Sequence, residues 1–330
     1  MDGSRRDGRR PRCYAAAVLV TQPDGIILVD KPQGISSHRV VSIARRRLGL
    51  KKIGHAGTLD PMATGLLLLG VGPSTRLLTH LVGLGKTYTA TIRLGVGTDS
   101  DDADGDPVSA LGAAADAVSD QAIEAAVAAL RGPIDQVPST VSAIKVDGRR
   151  AYDLARKGET VTLRARRVTV DRFEVRGRVD RVVSVDGADV PVIDLDVVVS
   201  CSSGTYIRAL ARDVGAALGT GAHLTALRRT VVGPFAVDDA VDLEDEAVDV
   251  HSRLARPADV ARRLFPVVQL DGHQAKDLGD GKRISVDHPD SEGPVAAIAA
   301  GGDRLVGLVA VRRGQLRVIT NFPTAAGANA

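Results

Sequence analysis

One carboxylate in this chain is placed as a catalytic group would be. Asp60 lies in the glycine-rich segment 54–65, and Pro61 after it pushes its backbone towards extended geometry. The glycines let the flanking chain turn tightly or lie close to a ligand, and the apolar run 66–69 predicts a buried element behind the turn. A carboxylate held in this way suits catalysis. Asp followed by Pro is also common in turns that have only a structural role, and the pattern by itself does not indicate a particular reaction.

No metal or nucleotide motif accompanies Asp60. Segment 83–87 resembles a phosphate-binding loop, but His80 stands where that motif needs its first glycine. Residues 100–111 resemble a calcium loop but lack the glutamate at its twelfth position, and His55 has no third ligand nearby for zinc. A glycosidase would need two carboxylates, and the glycine-rich segment offers one. These motifs therefore give no support for an NTPase, a calcium site or a zinc site.

Composition limits the class of protein further. The 330 residues can bury a sizeable core and are enough for two domains. Aromatic residues make up only 2%, so the core must be aliphatic and each of the four tyrosines becomes a candidate for a specific role. The two cysteines form no disulfide framework, and no apolar run is long enough to cross a membrane, which predicts a cytoplasmic protein.

Basic residues cluster in three places, although the formal net charge is only +3. Solvated helix faces explain any one cluster equally well, but three together favour a polyanionic partner such as nucleic acid. The clusters are Arg45, Arg46 and Arg47 with Lys51 and Lys52; Arg149 and Arg150 with Arg156 and Lys157; and Arg164, Arg166 and Arg167.

Periodicity and end signals place several helices and strands. Residues 99–106 are predicted to form an acidic, mobile loop, and residues 249–257 a linker. The irregular mixture of strands and helices predicts an α+β fold rather than regular βαβ alternation. Strands are predicted at 26–29, 87–94, 161–175, 190–200, 295–299 and 305–311, and helices from Ser36 or Ser37 to Leu48, from Ser119 to about residue 131, and at 205–218.

Six blocks follow one another along residues 24–235 in a characteristic order. They are 25–37, which includes Asp30-Lys31-Pro32-Gln33-Gly34; 54–65; Lys86-Thr87-Tyr88; 136–152, which begins Gln136-Val137-Pro138; Gly204-Thr205-Tyr206-Ile207-Arg208; and 223–229. Together they resemble the bacterial tRNA pseudouridine-55 synthases, the TruB branch of the pseudouridine synthases, where 55 counts tRNA nucleotides. Six collinear motifs are specific, whereas any one alone would be weak. Beyond about residue 249 the match is poor.

The resemblance implies a pseudouridine synthase fold, with a central mixed, mainly antiparallel sheet flanked by helices and a small β-rich C-terminal domain. It also implies a catalytic domain at 23–250 and a divergent PUA-type RNA-binding domain at 258–323. The arginines before Cys13 predict a basic flexible N-terminal arm at 1–22, and residues 324–330 are predicted to form a disordered tail.

The activity implied by the resemblance is isomerisation of one uridine in the T arm of tRNA to pseudouridine. The N1–C1′ bond breaks, the detached uracil rotates, and C5 bonds to C1′. Atoms are conserved without redox change, so neither cofactor nor metal is implied. The implied partner is tRNA, with no membrane and no obligate protein partner, and the protein is expected to be a monomer.

Six site residues carry over from the resemblance. Asp60 matches the catalytic aspartate, which acts as a nucleophile at the sugar or as the base that removes a proton from it. Arg208 matches an arginine near that carboxylate, and the opposite charge is expected to lower the pKa of Asp60. Tyr88 matches the tyrosine that stacks on the flipped-out base.

The remaining three matches surround the base. Tyr206 and Leu227 match residues that wall the uracil pocket, and either could instead be plain core packing. His55 matches a histidine that helps hold the flipped-out T-loop nucleotides. Two alternative functions stay open: an RNA chaperone that folds tRNA without chemistry, and a guide-RNA-dependent synthase of related fold that acts on ribosomal RNA within a complex.

Overall fold

The structure, a computed structural model, describes residues 22–139 and 163–322 together with the strand pairs at 145–146 and 149–150. Its helices are α1 (Ser37–Leu48), α2 (Leu78–Val82), α3 (Asp120–Ala128), α4 (Ile207–Leu218), α5 (Pro257–Leu264) and α6 (Gly272–Gly279), with 3₁₀ turns at Gly72–Leu77 and Val237–Asp239. Its strands are β1 (Gly25–Lys31), β2 (Ile53–Ala56), β3 (Thr64–Val71), β4 (Lys86–Leu94), β5 (Gly97–Thr98), β6 (Pro107–Ser109), β7 (Gly132–Gln136), β8 (Lys145–Val146), β9 (Arg149–Arg150), β10 (Arg166–Val185), β11 (Ala188–Cys201), β12 (Ala222–Val232), β13 (Phe235–Ala236), β14 (Val267–Leu270), β15 (Ile284–Ser285), β16 (Val295–Ala299), β17 (Leu305–Arg312) and β18 (Gln315–Asn321).

A nine-stranded sheet forms the centre of the molecule. Its strand order is β1-β3-β12-β4-β11-β10-β7, with β2 paired to β3 and β13 paired to β12. Within the described residues, the β3–β12 pairing is parallel and the other pairings of this sheet are antiparallel. The predicted α+β fold with a mixed, mainly antiparallel central sheet is therefore confirmed.

Helix ends follow the local signals in the sequence. The Ser36 hydroxyl accepts from the Arg39 N–H and caps α1, and Gly49 ends that helix with a left-handed φ of 62°. Ser119 caps α3 in the same way, but α3 ends at Ala128, short of the predicted residue 131. The long hairpin of β10 and β11 extends further than predicted, because its exposed end alternates weakly between polar and apolar residues.

Residues 99–106 do not form the mobile loop that the acidic sequence predicted. Ser100, Asp101 and Asp102 are buried, and the Asp101 carbonyl accepts from the Leu224 N–H at 3.1 Å. The Thr98 hydroxyl donates to the Asp102 carbonyl at 2.8 Å. A dense run of negative charge is typical of a solvated loop, but the Asp101 and Asp102 carboxylates face inward towards Arg212 and Arg208.

A second sheet of five strands, in the order β14-β16-β17-β18-β15, forms the C-terminal part. It does not stand apart from the central sheet, because one hydrophobic cluster includes side chains of both sheets and of α5. Residues 249–257, predicted as a linker, pack against the first strand: Ile26 and Ala255 exchange two backbone hydrogen bonds at 3.0 and 2.8 Å. The cluster contains Leu66, Leu68, Phe235, Ala258, Ile298, Leu308 and Phe322.

Some predictions fall outside the described residues. They concern residues 1–21 of the N-terminal arm, residues 323–330 with the tail, and the basic cluster at 149–157 apart from the backbone of β9. The strand predicted from residue 161 begins at 166 in the described part of the chain.

Candidate active site

Separate segments of the chain meet at a pocket of about 280 Å³ at one end of the central sheet. Five of the six residues singled out from the sequence line it: Asp60, Tyr88, Tyr206, Arg208 and Leu227. His55 is not among the lining residues and lies beside the pocket on β2. The sequence motifs therefore converge in space, although they are spread over more than 160 positions of the chain.

The turn that carries Asp60 is fastened from both sides. The Ser37 hydroxyl, in the first turn of α1, accepts from the Leu59 N–H at 2.9 Å and donates to the Leu59 carbonyl at 3.0 Å. The fully buried Lys31 donates to the Pro61 carbonyl at 3.3 Å. A side chain held between two anchored neighbours has little freedom to move, which is what a reacting group requires.

Arg208 is the central cation of the site. Its Nη2 lies 2.9 Å from Asp60 Oδ2, and its Nη1 lies 3.1 Å from Asp102 Oδ2 and donates to the Ser100 carbonyl at 2.8 Å. The Arg208 and Asp102 side chains are each only 4% exposed, whereas Asp60 is 39% exposed and faces the pocket. One buried guanidinium thus links an accessible carboxylate to an inaccessible one.

The pKa of Asp60 is raised, contrary to the lowering expected from the sequence. Burial in the pocket raises it most, the Arg208 guanidinium opposes this, and the nearby Asp102 carboxylate raises it further. The expectation counted only the attraction to Arg208. It missed both the loss of hydration and a second carboxylate that shares the same arginine.

Tyr88 and Leu227 stand on neighbouring strands of one sheet face. In the β4–β12 pairing, Tyr88 is opposite Arg229 and Leu227 is opposite Ala90. Burial raises the pKa of Tyr88, which keeps its hydroxyl neutral at physiological pH, while the nearby Arg229 opposes the rise. The phenol ring of Tyr88 and the isobutyl group of Leu227 together form an apolar wall against which a flat ring can lie.

Two further buried cations line the pocket, and no feature of the sequence indicated a role for either. Arg229 donates to the Leu66 and Gly57 carbonyls at 2.7 and 3.1 Å. Lys86 donates to the carbonyls of Val82 and Leu84 at 3.0 and 2.6 Å, and burial lowers its pKa to about 8. Both cations are held by backbone oxygens, so they hold the pocket walls in place.

His55 contacts a second histidine rather than the pocket. Its ring lies edge-on to that of His38, with 5.4 Å between the centroids. Burial lowers the pKa of His55, and the neighbouring His38 and Arg229 lower it further, so the imidazole is neutral at physiological pH. A neutral ring beside the pocket can stack or form hydrogen bonds without adding charge.

The first basic cluster is partly structural. Arg45 donates to the Ile53 carbonyl at 3.0 Å. Arg47 donates to the carbonyls of Leu243 and Asp245 at 2.9 and 2.6 Å and also to that of Val248, so it ties α1 to the segment 243–248. In the third cluster, Arg167 pairs with Asp135 at 3.0 Å on the surface. Several arginines of these clusters are therefore engaged within the protein, and fewer are available for a polyanionic partner than the sequence predicts.

Chemically, the pocket offers one carboxylate oxygen pair, oriented by an arginine, beside an aromatic and aliphatic wall. In the part of the chain that the structure describes, no group of three or more His, Cys, Asp or Glu side chains could hold a metal ion. No helix there is both long and apolar enough to pass through a bilayer. The arrangement can supply a nucleophile or a base to a flat substrate laid against Tyr88.

Comparisons with known proteins agree over nearly the whole chain. The family model for the TruB family pseudouridylate synthase (N terminal domain) matches residues 45–207, and that for the tRNA pseudouridylate synthase B C-terminal domain matches residues 208–263. The chain is 52% identical over 306 residues to tRNA pseudouridine synthase B of Arthrobacter sp. (strain FB24). This alignment covers 90% of this chain and 96% of that protein. Over 262 residues it is 53% identical to the protein of the same name from Mycobacterium sp. (strain KMS), covering 79% and 84%.

Solved structures share the fold. A Cbf5-Nop10-Gar1 complex contains a chain with a TM-score of 0.65 and 25% identity, covering 93% of this chain and 87% of that one. A chain of an H/ACA RNP bound to a substrate RNA containing 2′-deoxyuridine has a TM-score of 0.63 and 24% identity, and the match covers 91% of this chain and 86% of that one. The two family-model matches and the relatives about half identical to it establish that the chain belongs to the TruB family of pseudouridine synthases.

Proposed function

We propose that this protein converts a uridine in the T arm of tRNA to pseudouridine, with Asp60 as the catalytic carboxylate. The observation that carries the proposal is the pairing of Asp60 with the buried Arg208 inside a pocket that also contains Tyr88. The relatives that are about half identical over most of both chains are named as tRNA enzymes, and this supports tRNA as the substrate.

Asp60 acts in its ionised form on the sugar of the target nucleotide. As a nucleophile its oxygen would bond to C1′ while the N1–C1′ electron pair leaves with the uracil; as a base it would remove a proton from the sugar. The detached uracil then rotates and C5 bonds to C1′. In the nucleophilic route this bond displaces the Asp60 oxygen from C1′, and in the base route Asp60 returns the proton to the sugar. The proton lost from C5 balances the one gained at N1. Arg208 holds the carboxylate in place through either route.

The pocket walls receive the uracil. The target base must leave its stack, which costs a few kcal/mol, and stacking on Tyr88 recovers about 1–3 kcal/mol. Leu227 and Tyr206 close the pocket around the ring. His55, next to the pocket on β2, would hold neighbouring flipped-out nucleotides of the loop.

The proposal extends to the surroundings of the site. Basic residues that are not committed to backbone contacts would bind tRNA phosphates, so affinity would fall with rising salt. The five-stranded C-terminal sheet is proposed to add RNA contacts as a divergent PUA-type domain, with the catalytic domain at 23–250 and the RNA-binding domain at 258–323. We propose further that the protein acts as a cytoplasmic monomer without an obligate protein partner.

The decisive experiment is to incubate the purified protein alone with unmodified bulk tRNA and map pseudouridine at nucleotide resolution. A single new pseudouridine in the T arm is the expected result. The same assay on an isolated T-arm stem-loop separates this function from a guide-dependent one, because no guide RNA or partner is present. Pseudouridine that appears only elsewhere in tRNA, or not at all, would refute the proposal.

Substitutions of Tyr88 test the stacking role. Tyr88→Phe keeps the aromatic face and is expected to retain most of the activity, whereas Tyr88→Ala loses the stacking of about 1–3 kcal/mol, or about 5- to 150-fold in rate. Single-turnover rates on the T-arm stem-loop provide the measurement. Equal rates for the two variants would argue against stacking.

The raised pKa of Asp60 predicts an acid-sensitive rate. Only the ionised carboxylate is competent, so activity should be lost as pH falls through the pKa of the folded protein, which lies above the ordinary 3.8 of aspartate. The profile of kcat/KM against pH should therefore show its acid limb above that value. RNA binding measured over the same range is the control, and an acid limb at or below 3.8 would contradict the prediction.

A further inference from the structure

Helix α4 brings Arg208 to the active site, yet its N-cap is a tyrosine. Tyr206 occupies the N-cap position and makes no side-chain capping bond, so the start of the helix is not fixed by the usual Ser, Thr, Asp or Asn. The first turn of a helix has free N–H groups that need partners. Something outside α4 must hold the turn that carries both Tyr206 and Arg208.

Gln136, the last residue of β7, meets this end of the helix. Its Nε2 donates to the Tyr206 carbonyl at 3.0 Å, and its Oε1 accepts from the Tyr206 N–H at 2.8 Å. Because a backbone N–H only donates and a carbonyl only accepts, this orientation of the amide is the one that satisfies both bonds. The side chain thus pairs with Tyr206 as a neighbouring β-strand would, and it is only 2% exposed.

The chain after Gln136 holds α4 a second time. The carbonyl of Val137 accepts from Arg212 Nη2 at 2.8 Å, one helical turn beyond Arg208. The end of β7 therefore contacts α4 on both sides of Arg208. Two points of attachment fix the position of the helix along its axis and its rotation about that axis, and these two quantities decide whether the guanidinium reaches Asp60.

We propose that Gln136 is a positioning residue for the isomerisation: its amide sets the first turn of α4 so that Tyr206 walls the pocket and Arg208 meets Asp60. The inference rests on the proposed function and assigns a role to a residue that touches neither substrate nor reacting atoms. An amide is needed rather than a carboxylate, because the side chain must donate at one atom and accept at the other.

Gln136→Glu turns this requirement into a measurement. At neutral pH the carboxylate of this variant can still accept from the Tyr206 N–H, but it has no hydrogen to donate to the Tyr206 carbonyl. Because one of the two bonds is lost and two acceptors then face each other, kcat should fall about 10- to 100-fold. At lower pH the protonated carboxyl donates to that carbonyl, as the amide does. The ratio of kcat in the variant to kcat in the wild type should therefore rise towards one as pH falls.

Dividing by the wild-type rate removes the titration of Asp60 from this ratio. Three charged groups lie around this end of β7. Arg166 is the register partner of Gln136 on β10, and Arg212 on α4 donates to the adjoining Val137 carbonyl and pairs with Asp101 at 3.4 Å. The affinity for the T-arm stem-loop should stay within about twofold of the wild type, because the effect is on the reacting geometry. Gln136→Leu, which can neither donate nor accept, should be slow at every pH.

The matched control is Gln274→Glu, the same substitution at the start of α6. The Gln274 side chain accepts from the Asp271 N–H in a capping box, a position that glutamate serves equally well. Its kcat should equal that of the wild type at every pH. All rates are divided by the folded fraction from thermal melting in the same buffer, so a loss of fold is not counted as a loss of positioning.

The outcomes separate the two ideas. A wild-type protein that makes no pseudouridine in the stem-loop refutes the proposed function. An active wild type with a Gln136→Glu ratio that stays flat with pH, or a defect that lies in RNA affinity, overturns the role of Gln136 and leaves the function standing.

Discussion

Asp60→Asn is expected to abolish pseudouridine formation, by about 10²–10⁴-fold or more in single-turnover rate, while tRNA still binds. An amide oxygen can accept from the Arg208 guanidinium, so the turn should keep its shape. It carries no negative charge to attack the sugar or remove a proton from it. Since the Asp60 side chain is 39% exposed in the pocket, the substitution should cost little stability.

Asp116→Asn, an exposed aspartate exchanged in the same way, is the matched control and should keep wild-type activity. Appreciable turnover by Asp60→Asn would end the mechanistic claim. The same inactive protein tests the chaperone alternative, because tRNA refolding that survives the substitution would be a second activity independent of the chemistry.

Arg208→Met is expected to be the most destabilising single change at the site. It leaves the Asp102 carboxylate, which is 4% exposed, without its guanidinium. Removing one partner of a buried ion pair typically costs about 3–5 kcal/mol, because the other charge is then buried and uncompensated. Urea unfolding monitored by circular dichroism should show this loss, and pseudouridine formation should fall with it.

The double variant Arg208→Met, Asp102→Asn separates stability from activity. Neutralising the stranded carboxylate should recover most of the lost free energy of unfolding, while catalysis stays low because Asp60 still lacks its arginine. Asp102 Oδ1 also accepts from the Ser100 hydroxyl at 2.5 Å, which an asparagine can preserve. A double variant as unstable as Arg208→Met alone would show that the Asp102 charge was not the source of the loss.

Local signals in the sequence were enough for much of the fold. Serine caps and a terminating glycine fixed the ends of α1, and alternation along residues 87–94 placed the strand that carries Tyr88. The convergence of Asp60 with Arg208 could be predicted from the resemblance alone, since nearly 150 residues separate them.

The supporting contacts could not be read from the sequence. Asp102 sits in an acidic run typical of a solvated loop, and only the fold reveals that it faces Arg208. Gln136 belongs to the block 136–152, but its side chain bonds to the backbone of Tyr206, 70 positions away. Backbone groups leave no signature in a sequence. The predicted direction of the pKa shift at Asp60 was wrong, because burial depends on everything that surrounds the carboxyl group and cannot be read from the neighbouring residues in the sequence.

The hydrophobic cluster common to both sheets has a consequence for thermal denaturation. Leu66 and Leu68 of the central sheet pack with Ile298 and Leu308 of the C-terminal one, so neither sheet can lose its order without exposing apolar surface on the other. Calorimetry should therefore record one melting endotherm for the whole chain instead of two. A fragment cut before α5 would leave that surface bare and self-associate.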